Sequence, residues 1–331
     1  MTPPLATMEK PMNQKKVEPE LYKFIYSIVF VCFLLSGISG LIYEVVWTRL
    51  LTYVFGGTTL AVSTVLTAFL GGLALGSYIG GRFIDHFKKP LLAYGVAELI
   101  IGIYGLLVPF LFSETFLAPI WQTVVQMFEG VQFISYLVRF FIAILLLAIP
   151  TVLMGATLPI LSRYLTNVRP DIVAFNVGSL YTINTLGAIL GAFTAGFIFL
   201  PLIGVNSTVY IAASLNLILA SAVIFLANAN KKLQADTQLT EGKSSADLET
   251  LISTTGEEIP LKLVKLSMLA FVVSGFVALT FEVVWTRTLT LVFGSSTYAF
   301  STMLVTFLTG ITLGAAIMTK LRKKLIDLYF G

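Results

Sequence analysis

Glu44-Val-Val-Trp-Thr-Arg49 returns 238 residues later as Glu282-Val-Val-Trp-Thr-Arg287. Extending the comparison without a gap, 36–76 against 274–314, leaves 24 of 41 positions identical. Segments so alike are copies, and an internal copy sets the frame in which the rest of the chain is read. Each copy is an apolar run that ends near the hexapeptide, followed by a second apolar run rich in glycine. The repeat therefore carries two helices at a time, helices one and two in the first copy and their counterparts near the end of the chain.

Composition says what kind of helices these are. The 331 residues are 57% hydrophobic and 11% charged, against roughly 25% charged in a soluble domain, and the mean hydropathy is +0.92. Apolar runs of about 20 residues match the length of a helix crossing a bilayer. The short alternating segments of an outer-membrane barrel are missing. An all-α polytopic membrane protein follows, with eight spans at 22–47, 58–83, 91–112, 132–161, 173–201, 205–228, 263–287 and 297–320. Eighteen of the 21 basic residues fall on one side of these spans, leaving Arg49, Arg139 and Arg287. By the positive-inside rule both termini are cytoplasmic, in a bacterial-type inner membrane. The same placement explains the net charge of +4 without nucleic acid, since no aromatic-basic interleaving accompanies it.

The single cysteine, Cys32, and single histidine, His86, leave no disulfide framework or Cys/His metal site within one chain. No cofactor is expected, because the glycines lack the strand-turn-helix setting of a phosphate loop. Residues 1–21, polar and proline-bearing, read as a disordered tail. The run behind them is too long for a signal peptide's core and is kept as the first span. Residues 22–228 form a six-span half, 229–262 a polar cytoplasmic linker, and 263–331 two spans of the repeated half with a basic end.

Span two carries Gly72, Gly76 and Gly80 four apart, and Gly310 and Gly314 stand at the equivalent places of the second copy. Such small-residue faces let backbones approach closely, as do Gly187 and Gly191 on span five. Pro150 and Pro159 fall inside span four and are expected to kink or break it, with the freed carbonyls facing a cavity or met by neighbours. Between spans three and four, Trp121, Val124, Val125 and Phe128 recur at helical spacing and predict a short interfacial helix, an anchor in lipid or a partner site.

Charged residues within spans need a reason to be there, since each costs at least about 2.5 kcal/mol unpaired. Glu44 lies about 31 Å along the axis from Lys23, close to the outer interface, where Trp47 and its copy Trp285 suit an aromatic belt. A pair between Glu44 and Arg49, or between Glu282 and Arg287, requires the helix to end between them. Glu98 and Arg139 are each about 10 Å inside opposite ends of their spans. They are read either as a buried structural pair or as a proton or substrate relay. Asn176, Tyr181 and Asn184 add polar groups at helical spacing on span five, as interhelical hydrogen bonds or ligands.

Four stretches together resemble the membrane domain of the fused MFS/spermidine synthase family, membrane-embedded aminopropyltransferases. They are Ser36-Gly37 leading into Glu44-Val-Val-Trp-Thr-Arg49; Phe69-Leu-Gly-Gly-Leu-Ala-Leu-Gly76-Ser-Tyr-Ile-Gly80-Gly-Arg82; Pro150-Thr-Val-Leu-Met-Gly155-Ala-Thr-Leu-Pro159; and Gly178-Ser-Leu-Tyr181-Thr-Ile-Asn184-Thr-Leu-Gly187-Ala-Ile-Leu-Gly191. The likeness implies an MFS-like fold of which six spans and two of a second six are present. It makes Asp85, in a loop similar to that of major facilitator transporters, a latch residue, a solvated turn being the other reading. An aminopropyltransferase domain is expected beyond residue 331, and no catalytic residue is assigned here. If the halves pack about an axis along the membrane normal, spans one and seven face each other and Glu44 and Glu282 become equivalent carboxylates able to hold a polyamine. Trp47, Trp285, Glu98, Arg139, Tyr181 and Asn184 join them as candidate ligands. Partners follow from that reading: the bilayer, a polyamine or other small cation, and further membrane subunits or a second half. The alternative is an accessory subunit docking through its glycine faces.

Overall fold

The computed structural model describes residues 19–84, 89–113, 115–168, 173–229 and 261–330, and among them it is helical throughout, with no strand. In chain order the helices are α1 (Pro19–Phe55), α2 (Thr58–Phe83), α3 (Pro90–Leu111), α4 (Leu117–Met127), α5 (Gln132–Val168), α6 (Val173–Thr194), a π-helical turn (Ala195–Phe199), α7 (Leu200–Ala229), α8 (Leu261–Phe293) and α9 (Ser296–Phe330). Seven described stretches are long and apolar enough to cross a membrane, the longest being 177–228. Gly204 divides that stretch: at φ 78° and ψ 179° its backbone sits in a region open essentially to glycine alone. The apolar crossing-length segments therefore number eight among the described residues. The tail before residue 19, the linker 230–260 and Asp85 lie outside the described residues.

Two expectations about helix ends change. Helix α1 starts at Pro19 and continues through Arg49 to Phe55, past the predicted end at 47. Helix α5 is unbroken across both prolines. Each proline removes the N–H that would bond to the carbonyl four residues back, here Leu146 and Gly155. Neighbouring helices fill both gaps. The Tyr104 hydroxyl of α3 donates to the Leu146 carbonyl at 2.5 Å, and Ser77 Oγ of α2 donates to the Gly155 carbonyl at 2.9 Å. The prolines thus tie α5 to α2 and α3 rather than opening a gap. Ser77→Ala and Tyr104→Phe are each expected to lower the stability of the purified chain by about 1–3 kcal/mol, because a buried carbonyl is left unpaired. A thermal melt in detergent reads this out.

The glycines set how closely those helices approach. A side-chain carbon at Gly72 would strike Thr151, one at Gly76 the Val152 carbonyl, and one at Gly80 the Ala156 backbone and the Pro159 ring. Gly155 of α5 returns the contact against Leu73. On the other side of the bundle Gly187 and Gly191 of α6 meet the Leu34 and Ile38 carbonyls of α1. A side-chain carbon at Gly310 or Gly314 of α9 would meet nothing within 4 Å. Among the described residues no helix lies against this face of the second copy.

Helix α1 is central, packed on α6 and α7, while α3 lies on α7 and α2 on α5. The apolar interior falls into two clusters. One gathers Ile42, Val46, Trp47, Leu51, Val65 and Phe69 with Ile101, Leu147, Val209 and Phe300. The other gathers Val29, Phe33, Tyr94, Leu161, Leu180 and Val223. Helices α8 and α9 pack on each other, and α9 leans on α6 and the π turn, where Gly196 admits Ser301. Much of α8 is bare: Phe271 is 84% exposed. Helix α4 does form and packs on α5, burying Leu117, Trp121 and Val124, while Val125 of the predicted stripe stays exposed.

Candidate functional site

Glu44, Glu98 and Glu282 are all buried. Glu44, expected near an interface, is buried between Tyr43 and Val45 of the first apolar cluster, and α1 continues eleven residues beyond it to Phe55. Glu44 and Glu282 come from equivalent positions of the two copies, and the charge of Glu282 acts on Glu44, although the helices that carry them, α1 and α8, are not among the closely packed pairs. Neither carboxyl makes a hydrogen bond or ion pair among the described residues. Like charges in an apolar setting repel and are poorly solvated, so each carboxyl is more stable with a proton or a cationic partner.

The arginines of the hexapeptides do not supply it. Because α1 does not end between Glu44 and Arg49, the guanidinium turns away and lies 5.2 Å from the centroid of the Tyr53 ring. Arg287 donates to Thr59 Oγ1 of α2 at 3.1 Å. The tryptophans part company. Trp47, expected in an aromatic belt, is fully buried, stacked on Tyr43 at 5.4 Å and edge-on to Phe69 at 6.4 Å, whereas Trp285 is 54% exposed. In the first copy α5, α6 and α7 complete the packing of α1 and α2; among the described residues the second copy meets the bundle only along α2, α1, α6 and the π turn.

Glu98 and Arg139 do not meet. Ser36 Oγ donates to Glu98 Oε1 at 2.6 Å, Asn216 Nδ2 donates to Oε2 at 2.5 Å, and Tyr94 stands beside the carboxyl. Arg139 instead donates to the Val54 carbonyl near the end of α1 and to Ser135 Oγ, each at 3.1 Å. A cation is favoured at the carbonyl end of a helix, so Arg139 ties α5 to the end of α1. Asn184 Nδ2 donates to the Phe33 carbonyl at 3.0 Å, an interhelical bond between α6 and α1, and Tyr181 faces outward. The side chain of Asn176 lies outside the described residues. Sequence reasoning missed Ser36 of α1 and Asn216 of α7 as partners of Glu98. Each was visible as a polar residue within an apolar helix, but the register between the helices was not.

The class this geometry defines is a helical bundle of membrane-crossing length that encloses carboxyls without basic partners. Among known proteins, the chain is similar to proteins named polyamine aminopropyltransferases. It is 28% identical over 204 residues to polyamine aminopropyltransferase 2 of Aquifex aeolicus, covering 62% of this chain and 37% of that one. With polyamine aminopropyltransferase 1 of Streptomyces coelicolor it shares 23% identity over 176 residues, 53% of this chain and 29% of the relative. With polyamine aminopropyltransferase 2 of the same organism it shares 25% over 216 residues, 63% and 35%. The chain thus spans about a third of the length of the curated relatives it matches. No family profile and no solved structure matches it.

Proposed function

We propose that the chain is an integral membrane module that binds a di- or polyamine between Glu44 and Glu282, serving polyamine chemistry by holding or moving the amine. One observation carries this reading: two buried carboxyls without basic partners come from equivalent places in a repeat, and the charge of one acts on the other. A doubly charged, chain-like cation matches them in charge and offers a second contact point. Relatives named for polyamine transfer support that ligand class, and the lengths and hydropathy of the helices support the bilayer as setting. Cytoplasmic termini, a bacterial inner membrane and an MFS-like pairing of halves belong to this same reading; no catalytic residue is assigned to the chain.

The test is equilibrium binding of radiolabelled spermidine and putrescine to the purified chain. Glu44→Gln with Glu282→Gln is expected to abolish saturable binding, each pair of charges being worth about 2–5 kcal/mol when one member is removed. Binding unchanged in the double variant sinks the proposal.

A second reading rests on a separate observation, the bare face of α8 and the open glycines Gly310 and Gly314. It makes the chain an accessory subunit of a larger membrane assembly. A companion that co-purifies at fixed stoichiometry favours it; a monodisperse chain that binds polyamine favours the first.

A further inference from the structure

Glu98 is wholly buried where α1, α3 and α7 meet, and the groups that hydrogen-bond to its carboxyl are all neutral. Ser36 Oγ lies 2.6 Å from Oε1, Asn216 Nδ2 lies 2.5 Å from Oε2, and the Tyr94 hydroxyl stands against the same carboxyl. Ser36, Tyr94 and Asn216 are themselves at most 9% exposed. The titratable groups that feel the charge of Glu98 are Cys32 and Tyr43 on α1 and Tyr94 on α3 itself, and none of them is basic. From α7 comes Asn216, which is uncharged. Arg139 of α5 is held at the end of α1 instead.

The walls close tightly on either side. Gly95 and Gly102 stand three residues before Glu98 and four after it, on the same face of α3. A side-chain carbon at Gly95 would strike Ile224 of α7, and one at Gly102 would strike Leu217 of the same helix. Helices α3 and α7 are therefore in contact one turn above and one turn below the carboxyl, and Tyr94 and Ile101 beside it belong to the two apolar clusters. An ionised carboxyl enclosed in this way gives up its hydration and gains no counter-charge, and a group so placed neutralises instead.

The hydrogen bonds fit the neutral form. A hydroxyl donates to a carboxylate but equally accepts from a carboxylic acid. The contact between Ser36 and Oε1 therefore serves an acid proton as well as an anion, while Asn216 goes on donating to the other oxygen.

We propose that Glu98 is a proton-binding site, its carboxyl held as the neutral acid at the junction of α1, α3 and α7 with the proton on Oε1 facing Ser36 Oγ. The closed layer offers the ionised form no cation, so the proton exchanges only when α3 parts from α1 and α7. The site is separate from Glu44 and Glu282 and does not depend on amine binding there.

Infrared difference spectra of the purified full chain at neutral pH, wild type minus Glu98→Gln, test it. The glutamine amide has an N–H where the acid has its O–H, so the variant is expected to melt no lower than the wild type. The difference spectrum is expected to show the C=O band of a carboxylic acid and no carboxylate bands. The same band is expected when both chains also carry Glu44→Gln and Glu282→Gln, whatever happens to amine binding, so the two proposals fail separately. In heavy water the band is expected to shift as slowly as the backbone amides of the buried helices exchange. Ser36→Ala is expected to move it to higher frequency by removing a hydrogen-bond partner, and this variant decides if Glu98→Gln does not fold. Carboxylate bands in place of the acid band, a lower melting temperature for Glu98→Gln, a band that shifts at once in heavy water, or an acid region unmoved by Ser36→Ala overturns the proposal.

Discussion

Gly76→Ala is expected to destabilise the chain by about 3 kcal/mol or more, while the same change at Gly314, its counterpart in the repeat, is expected to be neutral or to stabilise by up to about 1 kcal/mol. Both positions lie inside a helix, Gly76 in α2 and Gly314 in α9, with a similar neighbouring sequence and the same residue type. They differ in what lies opposite. A methyl group at Gly76 would meet the Val152 carbonyl and, behind it, the Ala156 backbone. Neither can yield as a flexible side chain would, so α2 and α5 must separate, and with them Ser77 loses the Gly155 carbonyl that Pro159 left free. A separation that unmakes an interhelical hydrogen bond along with close packing removes several contributions at once. At Gly314 nothing lies within reach, and alanine brings only its better helix propensity. Thermal melts of both variants in one detergent check the sign at each site. Destabilisation at Gly314 as large as at Gly76 would mean that a helix covers that face in the purified protein.

The contrast also shows what a sequence carries. The apolar helices and the glycine faces were legible because each is a local property, the length of an apolar run or a period of four. The turn at Gly204 falls in the gap between the predicted spans 173–201 and 205–228. What failed were inferences that measured depth along one helix and compared it with another. Trp47 was placed at an interface by counting from Lys23, but α1 runs on to Phe55 and the indole is enclosed by Tyr43 and Phe69. Proline rules gave a kink or break in α5, with the freed carbonyls facing a cavity or met by neighbours; they are met, but by Tyr104 and Ser77, which sit 42 and 78 residues away in the chain from the carbonyls they reach. The juxtaposition of Glu44 with Glu282 was conditional on how the repeats face each other, which the hexapeptide alone does not fix.

Glu98 and Arg139 give the second large effect, and here a double-mutant cycle separates two structures of the same charges. Were the two an ion pair, removing both would restore much of what either single change loses, since a lone buried charge is worse than none. The observed partners predict otherwise. Glu98→Ala leaves Ser36 Oγ and Asn216 Nδ2 as buried donors without an acceptor, at about 1–3 kcal/mol for each. Arg139→Ala frees the Val54 carbonyl and Ser135 and removes the cation from the end of α1, an expected loss of about 1–3 kcal/mol. The two changes share no partner, so the losses should add within about 0.5 kcal/mol. The double variant is therefore expected to be the least stable of the set, with a melting temperature below either single variant. Rescue of Arg139→Ala by Glu98→Ala would mean that the guanidinium reaches Glu98 in the functioning protein and replaces Ser36 and Asn216 as its partner.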